Sequence, residues 1–147
     1  MYADYEFYTE TWYGDKLTEE TYPKYGSRAS DFLDWITRQR IVDNLPTDEK
    51  ALERLGKACC AAADALFDID AVRAAQMEAG AAAGVNQGGI IQSISSGGES
   101  VSFQASEMEK AVAAGQDGIN RYLFEQVRPY LSMLADDSGR YYLYWGL

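Results

Sequence analysis

The chain contains no histidine, and that absence removes much enzyme chemistry at once. Ser-His-Asp and Cys-His nucleophile sites, imidazole acid–base catalysis and His-ligated metal centres all need the missing ring. Cysteine is nearly as scarce, with Cys59 and Cys60 the two in the sequence. They are neighbours in an Ala-rich helical pattern, where successive side chains point about 100° apart, so they are poorly placed to bridge each other. Their spacing is not CxxC, and it suits a buried pair of small apolar residues better than metal or redox chemistry. No apolar run approaches the length of a membrane span, and the opening Met1–Glu6 lacks the basic region and apolar core of a signal peptide. The expectation is a cytosolic product with no membrane partner. Basic residues are in the minority, 13 against 23 acidic, for a formal net charge of −10. That balance argues against tight or sequence-specific nucleic-acid binding, which takes clustered Lys and Arg.

Carboxylates are what remains for catalysis, and they are too plentiful to single one another out. Glu19-Glu20 stands where acidic residues favour a helix N-terminus, and Asp136-Asp137 opens an Asp-Asp-Ser-Gly turn. Both read as structural. Gly88-Gly89 and Gly97-Gly98 lack the spacing and following basic residue of a phosphate-binding loop. No catalytic residue, metal site or cofactor is expected.

What is present is helical periodicity broken by one different element. Residues 1–147 are long enough for one domain. Tyr22, Tyr25, Ala29, Phe32, Leu33 and Ile36 recur at helical steps, with Pro23 placing the helix start near residues 18–22. Val42-Asp43-Asn44-Leu45-Pro46 should stop this helix, and Thr47 is a good N-cap for the next. The second helix carries Leu52, Leu55, Cys59, Ala62, Leu66 and Ile69 as a narrow seam, and it either breaks near Asp70 or continues to about Glu78. Ser106 should cap a third helix bearing Met108, Val112, Ile119, Tyr122, Leu123 and Val127. Gly115 and Gly118 weaken that helix, and Pro129 should kink or end it.

Between the second and third helices, Ile90, Gln92, Ile94 and then Val101, Phe103 alternate with small polar residues across Ser96-Gly97-Gly98-Glu99. That is the pattern of two strands and a tight turn. A lone hairpin at residues 90–104 is marginal by itself, so it packs on the helices as a flap or adds to a neighbouring chain. The arm, residues 1–17, is dense in rings: Tyr2, Tyr5, Phe7, Tyr8, Trp12 and Tyr13. It lies across the body or serves an interface. The tail, residues 140–147, is so rich in large rings that it must be docked, on its own core or on a neighbour. The predicted fold class is therefore mainly α: a small helical bundle of three to five helices with one β-hairpin, an aromatic-rich N-terminal arm and a C-terminal tail. Candidate protein-interaction residues are Ile94, Ser95, Ser96, Gly97, Gly98 and Glu99 of the hairpin, with Tyr141, Tyr142, Tyr144 and Trp145 of the tail.

A set of short motifs in order resembles a family, the small helical head–tail connector (adaptor, or head-completion) proteins of tailed bacteriophages and prophages. The motifs are Tyr5-Glu6-Phe7-Tyr8 with Gly14, Glu19-Glu20-x-Tyr22, Ala29, Leu33-Asp34-x-Ile36-Thr37 and Arg40-Ile41. To these add Ser93–Phe103, similar to a Ser/Gly-rich "SES-G-x-SVS" hairpin, and Leu143-Tyr144-x-Gly146, similar to a terminal "LYRG". The resemblance implies a structural virion protein rather than an enzyme. It would form a ring of about a dozen copies beneath the portal protein, a homo-oligomer with closed symmetry. Double-stranded DNA would pass through the ring, which would seat a downstream stopper or tail-completion protein. Its place would be the head–tail junction of the virion, after synthesis in the bacterial host cytoplasm. The acidic charge is compatible, since a conduit should not grip phosphate. The alternative is a small helical protein-binding or regulatory module, monomer or dimer.

Overall fold

A computed structural model describes residues 1–83 and 102–143, the side chains of 79–83 and 102–106 excepted. Among the described residues the chain is mainly helical, with six helices: α1 (Tyr5–Glu10), α2 (Tyr22–Ile36), α3 (Arg40–Asp43), α4 (Glu49–Ala83), α5 (Ser102–Ala113) and α6 (Gln116–Leu131). None is long and apolar enough to cross a membrane. The chain divides into two compact units. Residues Met1–Phe67 join those from Leu123 onward in one, and Asp68–Tyr122 make the other.

The first unit is built on α2 and the first half of α4. Thr18 and Thr21 prepare the start of α2, the Thr18 carbonyl accepting from Tyr22 N at 2.8 Å and the Thr21 Oγ1 accepting from Thr18 N at 2.9 Å. Pro23 sits in the first turn, where its missing N–H costs nothing. The expected stripe is buried at Tyr22, Tyr25, Ala29, Phe32 and Leu33. The helix ends earlier than its sequence suggests, at Ile36 rather than at the connector 42–46. Thr37 turns its hydroxyl back onto the Leu33 carbonyl at 2.8 Å. Arg38 and Gln39 then take left-handed backbone angles (φ 53° and 66°). Their N–H groups satisfy the last carbonyls, Arg38 N to Trp35 O at 3.1 Å and Gln39 N to Asp34 O at 2.8 Å. Neither residue is the glycine that normally advertises such a stop.

The N-cap of α4 is Asp48, not Thr47: its carboxylate accepts from Ala51 N at 3.0 Å. Leu55, Cys59, Ala62, Leu66 and Ile69 are buried as the seam predicts, whereas Leu52 is 39% exposed and lies outside it. The helix is 35 residues long and does not break near Asp70.

In the second unit, two expectations fail at the start of α5. That helix begins at Ser102, so residues 102–104 are helical rather than the end of a strand, and Ser106 lies inside the helix rather than capping it. The rest of the predicted hairpin lies outside the described residues. The predicted third helix is two helices. Gly115 adopts φ +80°, closing α5 with its N–H on the Val112 carbonyl at 3.1 Å, and α6 opens at the next residue. Gly118 then fits close beneath α5, where a Cβ would stand 2.5 Å from the Ala111 carbonyl oxygen. Pro129 does not end α6, which continues to Leu131.

Candidate functional site

The predicted interaction residues divide sharply. Ile94, Ser95, Ser96, Gly97, Gly98 and Glu99 of the hairpin, with Tyr144 and Trp145 of the tail, lie outside the described residues. Tyr141 is 52% exposed, but Tyr142 is only 2% exposed. The Tyr142 hydroxyl donates to the Asn44 carbonyl, and its own carbonyl accepts from Arg40 Nη1 at 3.1 Å. Burial first, then the Asp136 and Asp137 carboxylates, push its phenol up to about 12.

A turn holds Tyr142 there. Ala135 and Tyr141 pair as an isolated antiparallel bridge. Between them the Asp136 carboxylate accepts from Ser138 Oγ (2.6 Å), Ser138 N (2.9 Å) and Arg140 N (3.0 Å). The Ser138 hydroxyl, then the Arg140 amide, hold the Asp136 carboxyl below its usual range. Asp137 takes Thr47 N at 2.9 Å and Thr47 Oγ1 at 2.8 Å. Asp136 thus shapes the turn and Asp137 clasps it to the entry to α4, which gives both carboxylates a structural job.

The N-terminal arm is folded onto its own unit. Asp4 caps α1, its carboxylate accepting from Phe7 N at 2.8 Å. Tyr8 is fully buried and its hydroxyl makes three bonds: it donates to Asp64 Oδ1 (2.8 Å) and accepts from Leu17 N (3.0 Å) and Lys16 N (3.1 Å). Trp12 Nε1 reaches the other oxygen of Asp64 at 3.0 Å. Tyr22 donates to the Ala3 carbonyl at 2.5 Å, Tyr2 N donates to Ser30 Oγ at 3.1 Å, and the Tyr2 hydroxyl donates to Asp34. The rings of Tyr5, Tyr8 and Tyr22 pack with centroids 5.1–6.1 Å apart. Two glycines make room for the arm: a Cβ on Gly56 would stand 2.6 Å from the Phe7 ring, and one on Gly26 would stand 2.5 Å from Met1 Sδ.

The cysteines lie beneath this arm. Both thiols are free and fully buried. The Cys59 sulfur is 3.5 Å from Ser30 Oγ and 3.7 Å from the Gly26 carbonyl, and the backbone of Ala3 and Tyr2 also reaches it. Burial pushes both thiols up, against partial relief from Ser30 and Tyr22 at Cys59 and from Tyr22 at Cys60. A protonated, enclosed thiol is a poor nucleophile. Among the described residues no group of three or more Cys, Asp or Glu side chains is arranged to hold a metal ion.

Asp64 and Gly56 hold the arm, and they differ in how far the sequence marks them. Asp64 is one carboxylate among many until Tyr8 and Trp12 converge on it from more than fifty residues away. Gly56 did carry a signal, an isolated glycine inside a helical pattern, which often marks a close approach. Arg28 stacks its guanidinium over Tyr25 at 5.5 Å and Arg40 serves Tyr142, while Arg38 and Arg54 are exposed. Trp35, Val42 and Leu45 are exposed apolar residues around α3. Comparisons with protein-family models, with curated proteins and with solved structures found nothing that matches this chain.

Proposed function

We propose that the chain is a head–tail connector of a tailed phage or prophage, a structural protein that assembles as a ring beneath the portal and seats the next connector or tail component. The observation that carries this reading is the ordered series of motifs from Tyr5-Glu6-Phe7-Tyr8 to Leu143-Tyr144-x-Gly146. The mainly helical fold is compatible with it. So is the net charge of −10, which suits a passage that DNA must leave freely. A ring subunit needs two different surfaces, because its contacts are head-to-tail. Exposed Trp35, Val42 and Leu45 around α3, and Tyr141 at the tail, are apolar side chains available to such surfaces.

The test is removal of this gene from the phage or prophage that encodes it, followed by electron microscopy of the particles. The expected particles are tailless heads that lose their DNA, restored by adding the purified protein. Complete, infectious particles without the protein would overturn the reading. So would a purified protein that never associates with portal-bearing heads.

A further inference from the structure

The arm's contacts set residues 1–12 against sockets in the body of the first unit, with Tyr8 also bonded to Gly14, Lys16 and Leu17 just past the turn. Gly56 receives the Phe7 ring and Gly26 receives Met1. Ser30 receives the Tyr2 amide, Tyr22 donates to Ala3, and Asp64 takes both Tyr8 and Trp12. The turn that follows is different in kind. Tyr13 is 82% exposed and holds φ +59°, a left-handed angle that an aromatic L-residue rarely adopts. Strong, shape-specific docking is thus joined to the body through a strained, solvent-facing link.

We propose that residues 1–12 are an exchangeable strap, hinged at Tyr13, that docks in the same groove of a second copy of this chain. The occupant follows from the sockets, which fit the side chains of this segment whichever copy supplies them. Closed and exchanged forms make the same groove contacts, so the balance rests on the hinge and on concentration. Straightening Tyr13 relieves strain that the closed form retains, and this favours exchange as concentration rises. The proposal is independent of the connector reading, since it predicts behaviour of the purified chain with no portal present.

The hinge gives opposite predictions for two substitutions. Proline cannot adopt φ +59°, so Tyr13→Pro opens the closed turn and drives copies to exchange. Glycine tolerates that angle, so Tyr13→Gly relaxes the closed form and shifts the midpoint concentration for association upward roughly tenfold. The direct readout is a photo-crosslink. With p-benzoylphenylalanine in place of Glu6, an exposed arm position beside Phe7, in the full chain, irradiation joins the arm to the body on which it docks. Equal amounts of isotopically light and heavy chain are mixed, dissociated and reassociated before irradiation. The expected result is hybrid light–heavy links in the associated fraction, increased by Tyr13→Pro and diminished by Tyr13→Gly. Same-label links alone, at every concentration of the chain with wild-type Tyr13, would overturn the proposal even if Tyr13→Pro failed to fold. A helical, strictly monomeric Tyr13→Pro protein would overturn it as well.

Discussion

Tyr8→Phe isolates one oxygen atom and should destabilise the protein well beyond the usual cost of a lost hydroxyl. The ring keeps its place beside Tyr5 and Tyr22, so packing is retained. The loss is polar. One hydrogen bond to a charged acceptor, Asp64 at 2.8 Å, disappears, and such bonds contribute about 1.5–3 kcal/mol. The Leu17 amide, at a buried residue, loses its acceptor at 3.0 Å, and an orphaned buried donor costs about 1–3 kcal/mol. The Lys16 amide belongs to an exposed residue and can turn to water. Asp64 keeps Trp12 on its other oxygen and recovers part of its loss from solvent. Balancing these, the expected destabilisation is about 2–4 kcal/mol, a large share of the 5–15 kcal/mol of a typical domain. Urea unfolding followed by helical circular dichroism measures it as a shift in midpoint at constant slope. Labelling of Cys59 and Cys60 under native conditions gives a second readout, because both thiols lie beneath the arm and should react faster once it is loosened. Asp64→Asn should couple strongly to Tyr8→Phe in a double-mutant cycle, the two changes sharing one bond. A destabilisation below about 0.5 kcal/mol with unchanged thiol protection would refute the account of Tyr8 as the arm's polar anchor.

Two further outcomes follow from the same structure. Stability should fall as pH rises above about 10, because burial raises the phenols of Tyr2, Tyr8, Tyr22 and Tyr142 above their ordinary 10.0. Below that pH both states hold these protons, whereas above it the unfolded chain releases them first; for Tyr142 the window runs from 10.0 to about 12. Phenolate absorbance should therefore lag ordinary tyrosine titration and then rise together with the loss of helicity; titration of every tyrosine near 10 in a folded protein would count against it. Gly118→Ala should cost about 1–3 kcal/mol, since the new Cβ meets the Ala111 backbone oxygen at 2.5 Å and helix backbone must move. Urea unfolding checks this, with a neutral result excluding the close approach of α5 and α6.

The parts of the fold that were legible in the sequence are those written in local periodicity. The α2 stripe from Tyr22 to Leu33 and the α4 seam from Leu55 to Ile69 repeat at helical steps, and burial follows them. Where the chain departs from expectation, backbone geometry overrode residue type. Arg38 and Gln39 stop α2 in a conformation that glycine usually supplies, so nothing in their identity marks the end of the helix. Gly115 had the right identity, but a glycine in a helical pattern can weaken, cap or pack, and only its φ of +80° decides between these. Ser106 looked like a cap because Glu107 and Glu109 follow it as a first turn should, but the helix already runs from Ser102.

The arm shows most clearly why the rest was hidden. Its ring spacing matches neither helix nor strand because the rings do not share one face. Tyr8 is buried among Tyr5 and Tyr22, Phe7 covers Gly56, and Trp12 turns to Asp64 and the Tyr130 ring. Apart from Tyr5, the partners are distant in sequence and come from α2, α4 and α6. A periodicity argument assumes one apolar face and one neighbour, so it fails for a segment inserted between several. The aromatic density was still informative in another sense. Tyr and Trp combine an apolar body with one polar tip, and here the tips of Tyr2, Tyr8 and Trp12 choose Asp34 and Asp64 while the rings fill the groove. Acidic residues that look like surplus surface charge in the sequence thus become the fixed points that set the arm's register. The same logic holds at the other end of the chain, where Asp137 holds Thr47 and Tyr142 reaches Asn44. In both places an aromatic-rich terminal segment is held by directional polar bonds rather than by apolar burial alone.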